Sequence, residues 1–262
     1  MYDFAFKSPT TVADAVAALA GDAKALAGGQ TLIPVLKQRL NKPETVVALA
    51  KLGLSGITVT DSAVVIGAMT THATVANSAD VKRAIPALAA LAGGIGDNQV
   101  RNRGTIGGSL ANNDPSACYP SAVLALGATI TTNKRSIAAD QFFDGMFTTV
   151  LAADEIITSV SFPIPGKAAY VKFKNPASRY AMVGVFVAKG PAGTRVAVTG
   201  AGQGGVFRHT AAEAALAANW SADALAGVKA SADGLNSDIH ASAEYRAHLI
   251  GVITKRAVVA AG

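Results

Sequence analysis

The sequence predicts an α+β protein with one large domain or two to three small ones, and three of its properties lead to that expectation. Half of the 262 residues are apolar and only 15% are charged, which is enough apolar surface to form buried cores. Short runs of valine and isoleucine bounded by turn residues indicate strands, whereas alanine-rich stretches with apolar residues at helical spacing indicate helices. The cluster from Pro163 to Gly166 separates a longer N-terminal part from a shorter part in which strands are again followed by helices.

The N-terminal part begins with a predicted helix from Thr11 to Ala20, which has apolar residues on one face and a capping-box spacing at its start. Lys24 to Ala27 is predicted as a short strand and Leu32 to Leu40 as a helix. The glycines between them therefore join a strand to a helix. We expect a break between two α+β subdomains near residue 54. Further strands are predicted at Thr45 to Leu49, Gly56 to Thr60 and Ala63 to Ile66.

Helices are predicted again after His72, and Pro86 should start a new segment within the helical stretch from Val81 to Leu91. The run from Gly93 to Asn98 is too glycine-dense to continue a helix, so an irregular loop is expected there. A helix is predicted at Ala122 to Leu126, and mostly helical structure from Thr210 onwards. The remaining strands are predicted at Thr129 to Thr132, Ile156 to Phe162, Tyr170 to Phe173, Val183 to Ala188 and Arg195 to Thr199.

Composition excludes several classes of protein. The longest apolar stretches contain glycine and fall short of the roughly 18 residues of a membrane helix. The N-terminus lacks the pattern of a secretory signal, so we expect no membrane span and a cytoplasmic location. The single cysteine, Cys118, excludes an internal disulfide and a self-contained iron–sulfur cluster, and the four dispersed histidines show no zinc spacing, so no metal is assigned.

The formal charge of +6 comes from scattered lysines and arginines. No nucleic-acid module with interleaved aromatic residues accompanies them, so we expect no nucleic-acid partner and interpret the charge as a solvated surface. The alternative is attraction of an anionic cofactor or an acidic partner subunit.

Two glycine-rich loops are the strongest candidates for a binding site. The first glycine loop is A-G-G-Q-T (Ala27 to Thr31), and the second is T-I-G-G-S (Thr105 to Ser109). Backbone N–H groups in such loops can hold phosphate, and both loops add hydroxyl or amide side chains without any acidic residue. The competing interpretation is that the glycines only permit tight turns.

Neither loop is a Walker A motif, because no Gly-Lys-Ser/Thr follows. Neither matches G-x-G-x-x-G with an acidic ribose ligand, which argues against a Rossmann fold. Two separate backbone cradles for the pyrophosphate of a dinucleotide fit the pattern instead. A third glycine run, Gly200 to Gly205, lacks the context of a helix start and is interpreted as a turn.

The long motif G-D-N-Q-V-R-N-R-G-T-I-G-G-S (Gly96 to Ser109) makes the comparison more specific. Together with A-G-G-Q-T-L-I-P (Ala27 to Pro34) and N-D-P (Asn113 to Pro115), it resembles the flavoprotein (medium) subunit of molybdenum hydroxylases. That family includes the carbon monoxide dehydrogenase medium subunit and the FAD domain of xanthine dehydrogenase. The resemblance covers nearly the whole chain, including Y-V-K-F-K (Tyr170 to Lys174) and A-S-R-Y-A (Ala177 to Ala181).

The resemblance implies a vanillyl-alcohol-oxidase (PCMH)-type FAD-binding domain at residues 1–165 and a smaller α+β domain at residues 166–262. It also implies FAD as the cofactor of this chain. The molybdenum cofactor would belong to a large partner subunit and two-iron two-sulfur clusters to a small one, in a dimer of heterotrimers. By the same resemblance, this chain passes electrons from the clusters through FAD to an external acceptor. A stand-alone FAD oxidoreductase and a non-catalytic interaction protein are the alternatives.

The resemblance also supplies candidate FAD contacts, and no catalytic acid or base is assigned. Ile95 and Ile157 match apolar contacts, although core packing explains them equally well, and Lys172 and Tyr180 match positions near the isoalloxazine. Cys118 departs from the family, which usually has an aspartate there, and a thiol is a poorer acceptor that we expect to be buried. The candidates are Ala27, Gly28, Gly29, Gln30, Thr31, Leu32, Ile95, Thr105, Ile106, Gly107, Gly108, Ser109, Asp114, Cys118, Ile157, Lys172 and Tyr180.

Overall fold

The computed structural model describes residues 1–262 and is an α+β fold built on three sheets. The first sheet is fully parallel with the order β1-β3-β2, and helices α1 and α2 follow its first two strands. Thr11 caps α1 by accepting the Asp14 N–H, and the apolar face of α1 packs on β3. These elements are β1 (Ala5–Lys7), α1 (Val12–Ala18), β2 (Ala23–Leu26), α2 (Leu32–Lys37) and β3 (Thr45–Ala48).

The second sheet is antiparallel with the order β4-β5-β8-β6-β7. Six helices lie between β5 and β6 in the chain, and their apolar sides and the sheet together form the largest buried core. The strands are β4 (Ile57–Val59), β5 (Ala63–Gly67), β6 (Thr129–Thr132), β7 (Ser136–Ala138) and β8 (Ile157–Pro163). The helices are α3 (His72–Asn77), α4 (Ala79–Ala84), α5 (Pro86–Gly93), α6 (Asn98–Arg103), α7 (Ile106–Asn112) and α8 (Tyr119–Leu126).

The third sheet is antiparallel with the order β12-β11-β10-β9. Eight consecutive residues of β10, from Ala181 to Ala188, are buried because both faces of the sheet are covered, by α10 on one side and by α8 on the other. The elements are β9 (Lys167–Lys174), β10 (Ala181–Gly190), β11 (Gly193–Thr199), β12 (Phe207–Arg208), α9 (Thr210–Ala218) and α10 (Ala243–Ala261).

The third sheet shares a hydrophobic core with the second sheet and its helices. The largest core cluster includes Phe186 of β10 and Ala197 of β11 together with residues of α8. Arg195 donates from one guanidinium nitrogen to the Leu124 carbonyl and to Asp140, each at 3.0 Å, and the Thr199 hydroxyl bonds the Pro115 carbonyl at 2.9 Å. Packing and polar contacts therefore fix the position of the third sheet against α8 and the segment before it.

Residues 94–97 are irregular as expected, but two segments close to them differ from the expected secondary structure. The irregular loop before the second glycine loop contains a helical turn, α6, which Asp97 caps by accepting the Val100 N–H. The second glycine loop itself is the start of helix α7, with Thr105 as its N-cap. The stretch from Thr210 onwards is mostly helical as expected, in α9 and α10, and the segment between these helices is irregular apart from a 3₁₀ turn at Asp223–Leu225. None of the helices has the length and apolar character needed to span a membrane.

Candidate functional site

A cavity of about 790 Å³ is bordered by residues from all three sheets and their connections. Its walls are the β2–α2 connection, the stretch from Ile95 to Cys118, the start of β8, and β9 with the connection to β10. A cavity of this size holds a large organic ligand. The sequence-predicted residues therefore come together from distant parts of the chain.

The first glycine loop leaves β2 and enters α2. Gly29 has φ +74°, a conformation that glycine adopts without strain. The backbone N–H groups of residues 27 to 32 donate to no acceptor within the chain. Six successive amide donors that border a cavity need acceptors from outside the chain, and an anion with several oxygen atoms can supply them.

The second glycine loop behaves differently from what the sequence suggested. The Ile106 and Gly107 N–H groups donate to the Thr70 and Ala68 carbonyls, at 3.2 and 2.8 Å. The N–H groups of Gly108 and Ser109 donate to the Thr105 side chain and carbonyl, respectively. The second glycine loop therefore does not offer the free amides that the sequence predicted, because these N–H groups are already paired at the start of helix α7. The Thr105 N–H and the Ser109 hydroxyl remain free of partners within the chain.

The two glycine loops are in direct contact. A Cβ atom on Gly28 would lie 2.1 Å from the Arg103 carbonyl oxygen, and one on Gly108 would lie 3.3 Å from the Ala27 Cβ. The first distance is too short for any side chain. Glycine at position 28 thus allows the backbone before α7 to lie against the first loop, so that both border the same cavity.

Lys172 and Tyr180 reach the cavity from the third sheet. The Lys172 ammonium donates to the Gly94 carbonyl at 2.8 Å and lies 3.5 Å from the Cys118 sulfur. Partial burial, and then the charge of Asp114, raise the pKa of the Tyr180 phenol, so the phenol stays protonated at neutral pH. An ammonium and a phenol on one wall can donate hydrogen bonds to a polar ring edge.

All predicted contacts except Ile106 border the cavity. The Ile106 side chain is fully buried in the core cluster of the second part, so it holds α7 in place and does not face the cavity. Cys118 is 6% exposed and also belongs to that core, as expected for a thiol that packs as a small apolar group. Ile95 is half-buried, and Ile157 is buried at the start of β8.

Sequence reasoning missed other residues that border the cavity, among them His72 and Phe147. His72 starts α3 and is 5% exposed, and its ring lies 5.3 Å from the ring of Tyr119. Its Nδ1 atom has no hydrogen-bond partner within the chain. Burial, and then the charge of Arg101, lower the pKa of His72 to about 4, so the ring is neutral at pH 7. Only the tertiary contacts reveal this histidine, since the sequence around it shows no ligand spacing.

The lowered pKa of His72 makes stability depend on pH. The unfolded chain takes up a proton near pH 6.5 and the folded chain only near pH 4. We therefore expect the free energy of unfolding to fall by up to about 3 kcal/mol as the pH drops from 6.5 to 4. Urea unfolding of the full chain across this range measures the effect.

The control for this prediction is His72→Asn, which stays neutral and should flatten most of that slope. A slope in the same window that His72→Asn leaves unchanged would contradict the assignment. Glu155 gives an internal reference, because Arg135 lowers the pKa of its carboxyl to about 2. Its contribution is present above about pH 4.5 and is lost only as the pH falls towards 2.

The fold and the cavity together define an α+β protein in which three sheets border a cavity with the volume of a large-ligand site. Residues 2–165 match the model of the FAD binding domain in molybdopterin dehydrogenase. The chain belongs to this family and is the FAD-binding (medium) subunit type of the molybdenum hydroxylases, a component of oxidoreductase complexes.

Similar proteins cover the whole chain. The nicotine 6-hydroxylase medium subunit of Paenarthrobacter nicotinovorans is 37% identical, covering 98% of this chain and 96% of that protein. The carbon monoxide dehydrogenase medium chain of Hydrogenophaga pseudoflava is 32% identical over 98% and 96% of the two chains. Reconstituted carbon monoxide dehydrogenase from Oligotropha carboxidovorans superimposes with a TM-score of 0.90 at 32% identity, covering 99% and 98%. The predicted family and fold class are confirmed.

Proposed function

We propose that this chain binds FAD in the cavity and carries electrons from the iron–sulfur clusters of a partner subunit to an external acceptor. The observation that carries the proposal is the run of six free amide donors at residues 27 to 32, on the wall of a cavity of about 790 Å³. A diphosphate offers several anionic oxygen atoms to such a run, and the cavity has the volume of a large-ligand site.

The residues have separate roles in this proposal. The amides of the first glycine loop and of Leu32, with the Thr105 N–H and the Ser109 hydroxyl, would hold the diphosphate. Lys172 and Tyr180 would hydrogen-bond to or cover the ring system, and Ile95 and Ile157 would contact it with apolar surface. Bound FAD supplies the redox chemistry, and no side chain of this chain has to act as an acid or base.

Asp114 and Cys118 complete the proposed set of contacts. One Asp114 oxygen already accepts the Ser116 N–H, which leaves the other to accept from a ligand hydroxyl. Cys118 borders the cavity and contacts Lys172, so it would shape the wall more than it would bind. The usual carboxylate contact at position 118 is then replaced by Asp114 and its neighbours.

The family and the single cysteine support the proposed division of labour between subunits. A chain with one thiol does not hold a cluster by itself, so we propose a small iron–sulfur subunit and a large molybdenum subunit as partners, in a dimer of heterotrimers. We propose the domain division at residue 165, where the family match ends between β8 and β9. Cytoplasmic residence remains a prediction.

Titration of the apo chain with FAD tests the binding proposal. We expect saturable binding with a shift of the flavin absorbance bands, and stoichiometric FAD in the purified complex. A purified complex that contains all of its subunits but no flavin would refute the proposal. The absence of FAD affinity in the folded apo chain would do the same, and would favour a non-catalytic interaction protein. Substrate turnover by the isolated FAD-loaded chain would instead favour a stand-alone oxidoreductase.

A further inference from the structure

Phe147 has an unusual backbone conformation beside the cavity. Its φ is +55°, in the left-handed region that bulky residues rarely adopt. Its side chain is 56% exposed although it is a phenylalanine, and it borders the cavity. Exposure of an aromatic ring and backbone strain both cost free energy, and such costs persist where the surrounding structure enforces them.

Asn113 enforces this conformation. It is 1% exposed and ends helix α7, and its side-chain amide donates to the Gly145 and Thr148 carbonyls at 2.7 and 2.8 Å. The Asn113 carbonyl accepts the Phe147 N–H at 3.0 Å. Asn113 thus donates two hydrogen bonds to the turn that contains Phe147 and accepts a third. These bonds fix the turn to the C-terminal end of α7.

A second segment that borders the cavity has the same two features, a left-handed backbone residue and an exposed aromatic ring. Arg179 borders the cavity with φ +63°, and Tyr180 beside it is 56% exposed. Asp114, which follows Asn113, is near enough for its charge to act on the Tyr180 phenol. Phe147 and Tyr180 therefore both lie near the C-terminal end of α7, and each has a left-handed backbone residue at or beside its own position.

We propose that Phe147 is a further FAD-binding residue, which covers a planar ring of the cofactor. The inference rests on the proposed function, since it requires FAD in this cavity. Because the turn is fixed by hydrogen bonds, only the side chain of Phe147, and not its backbone, has to become ordered when the ring stacks on a heteroaromatic ring. When the cofactor is bound, its ring would cover the Phe147 ring and remove it from contact with water.

Replacement of the ring tests the proposal on the full chain. Phe147→Asn keeps the left-handed turn, because asparagine tolerates that conformation, but removes the aromatic face. We expect the Kd for FAD to rise by about two- to tenfold, with faster FAD release on dilution and an unchanged thermal midpoint of the apo chain. Phe147→Tyr should retain the wild-type Kd.

Met146→Asn is the matched control, since Met146 is the adjacent residue and is 55% exposed but does not border the cavity. It should leave the Kd and the release rate unchanged. Equal effects of the substitutions at positions 146 and 147, or a wild-type Kd in Phe147→Asn, would overturn the inference. Failure of the proposed function is distinguishable, because wild-type chain would then bind no FAD in the same titration.

Discussion

Gly28→Ala is expected to weaken FAD binding strongly, because the added methyl group has no room. Its Cβ would lie 2.1 Å from the Arg103 carbonyl oxygen and 2.8 Å from the Gly104 Cα, both backbone atoms that a side-chain rotation cannot relieve. Either the first glycine loop or the connection from α6 to α7 has to move. Overpacking of this kind costs about 1–3 kcal/mol.

We expect the Kd for FAD to rise at least about tenfold in this variant, with a lower unfolding midpoint of the apo chain. Titration by flavin absorbance and thermal unfolding measure the two effects. Gly204→Ala is the control, since a Cβ there meets nothing within 4 Å. Wild-type affinity and stability in Gly28→Ala would show that the two loops do not need this close contact.

Gly108→Asp is expected to have a still larger effect on binding. Its Cβ would lie 3.0 Å from the Thr105 Oγ1 and 3.3 Å from the Ala27 Cβ, so the neighbouring atoms also have to shift slightly. Gly108 is the third residue of α7 and borders the cavity, so a carboxylate there would face the proposed diphosphate. Unit charges about 5 Å apart at an effective dielectric constant of about 20 repel by about 3 kcal/mol. The Kd should therefore rise by about a hundredfold or more.

Gly108→Asn separates charge from bulk, because it adds nearly the same volume without the charge. An acidic residue in the first turn of a helix is favourable, so the aspartate variant should be at least as stable as the asparagine variant without FAD. The difference in their Kd values, measured at low and at high salt, reports the charge. Equal Kd values for the two variants would place the phosphate elsewhere.

Local pattern was sufficient for most elements of the fold. The β2–α2 connection, the proline-started helix α5 and the valine-rich strands β3, β5 and β10 lie where their sequences predict. These segments have strong local signals, such as a capping threonine, a proline at the start of a helix, or β-branched runs between turns. Helix α6 and the helical start of α7 were not predicted, because tertiary packing overrides weak local preference in these short segments.

The sequence by itself determined the glycine positions and the long motif from Gly96 to Ser109, and with them the family and its cofactor. Such signals are local, because a glycine run and a capping threonine can be recognised without knowing what lies nearby. Contact between the two glycine loops depends on an interatomic distance, and only the folded chain defines it.

Tertiary structure alone decided which backbone donors are free. Both glycine loops have the same kind of residues, yet the amides of residues 27 to 32 are unpaired while those of residues 106 to 109 are used by Thr70, Ala68 and Thr105. It also placed Ile106 in the core and brought His72 and Phe147 to the cavity. The physical reason is that pairing and burial are properties of neighbours in space, which the order of residues along the chain does not specify.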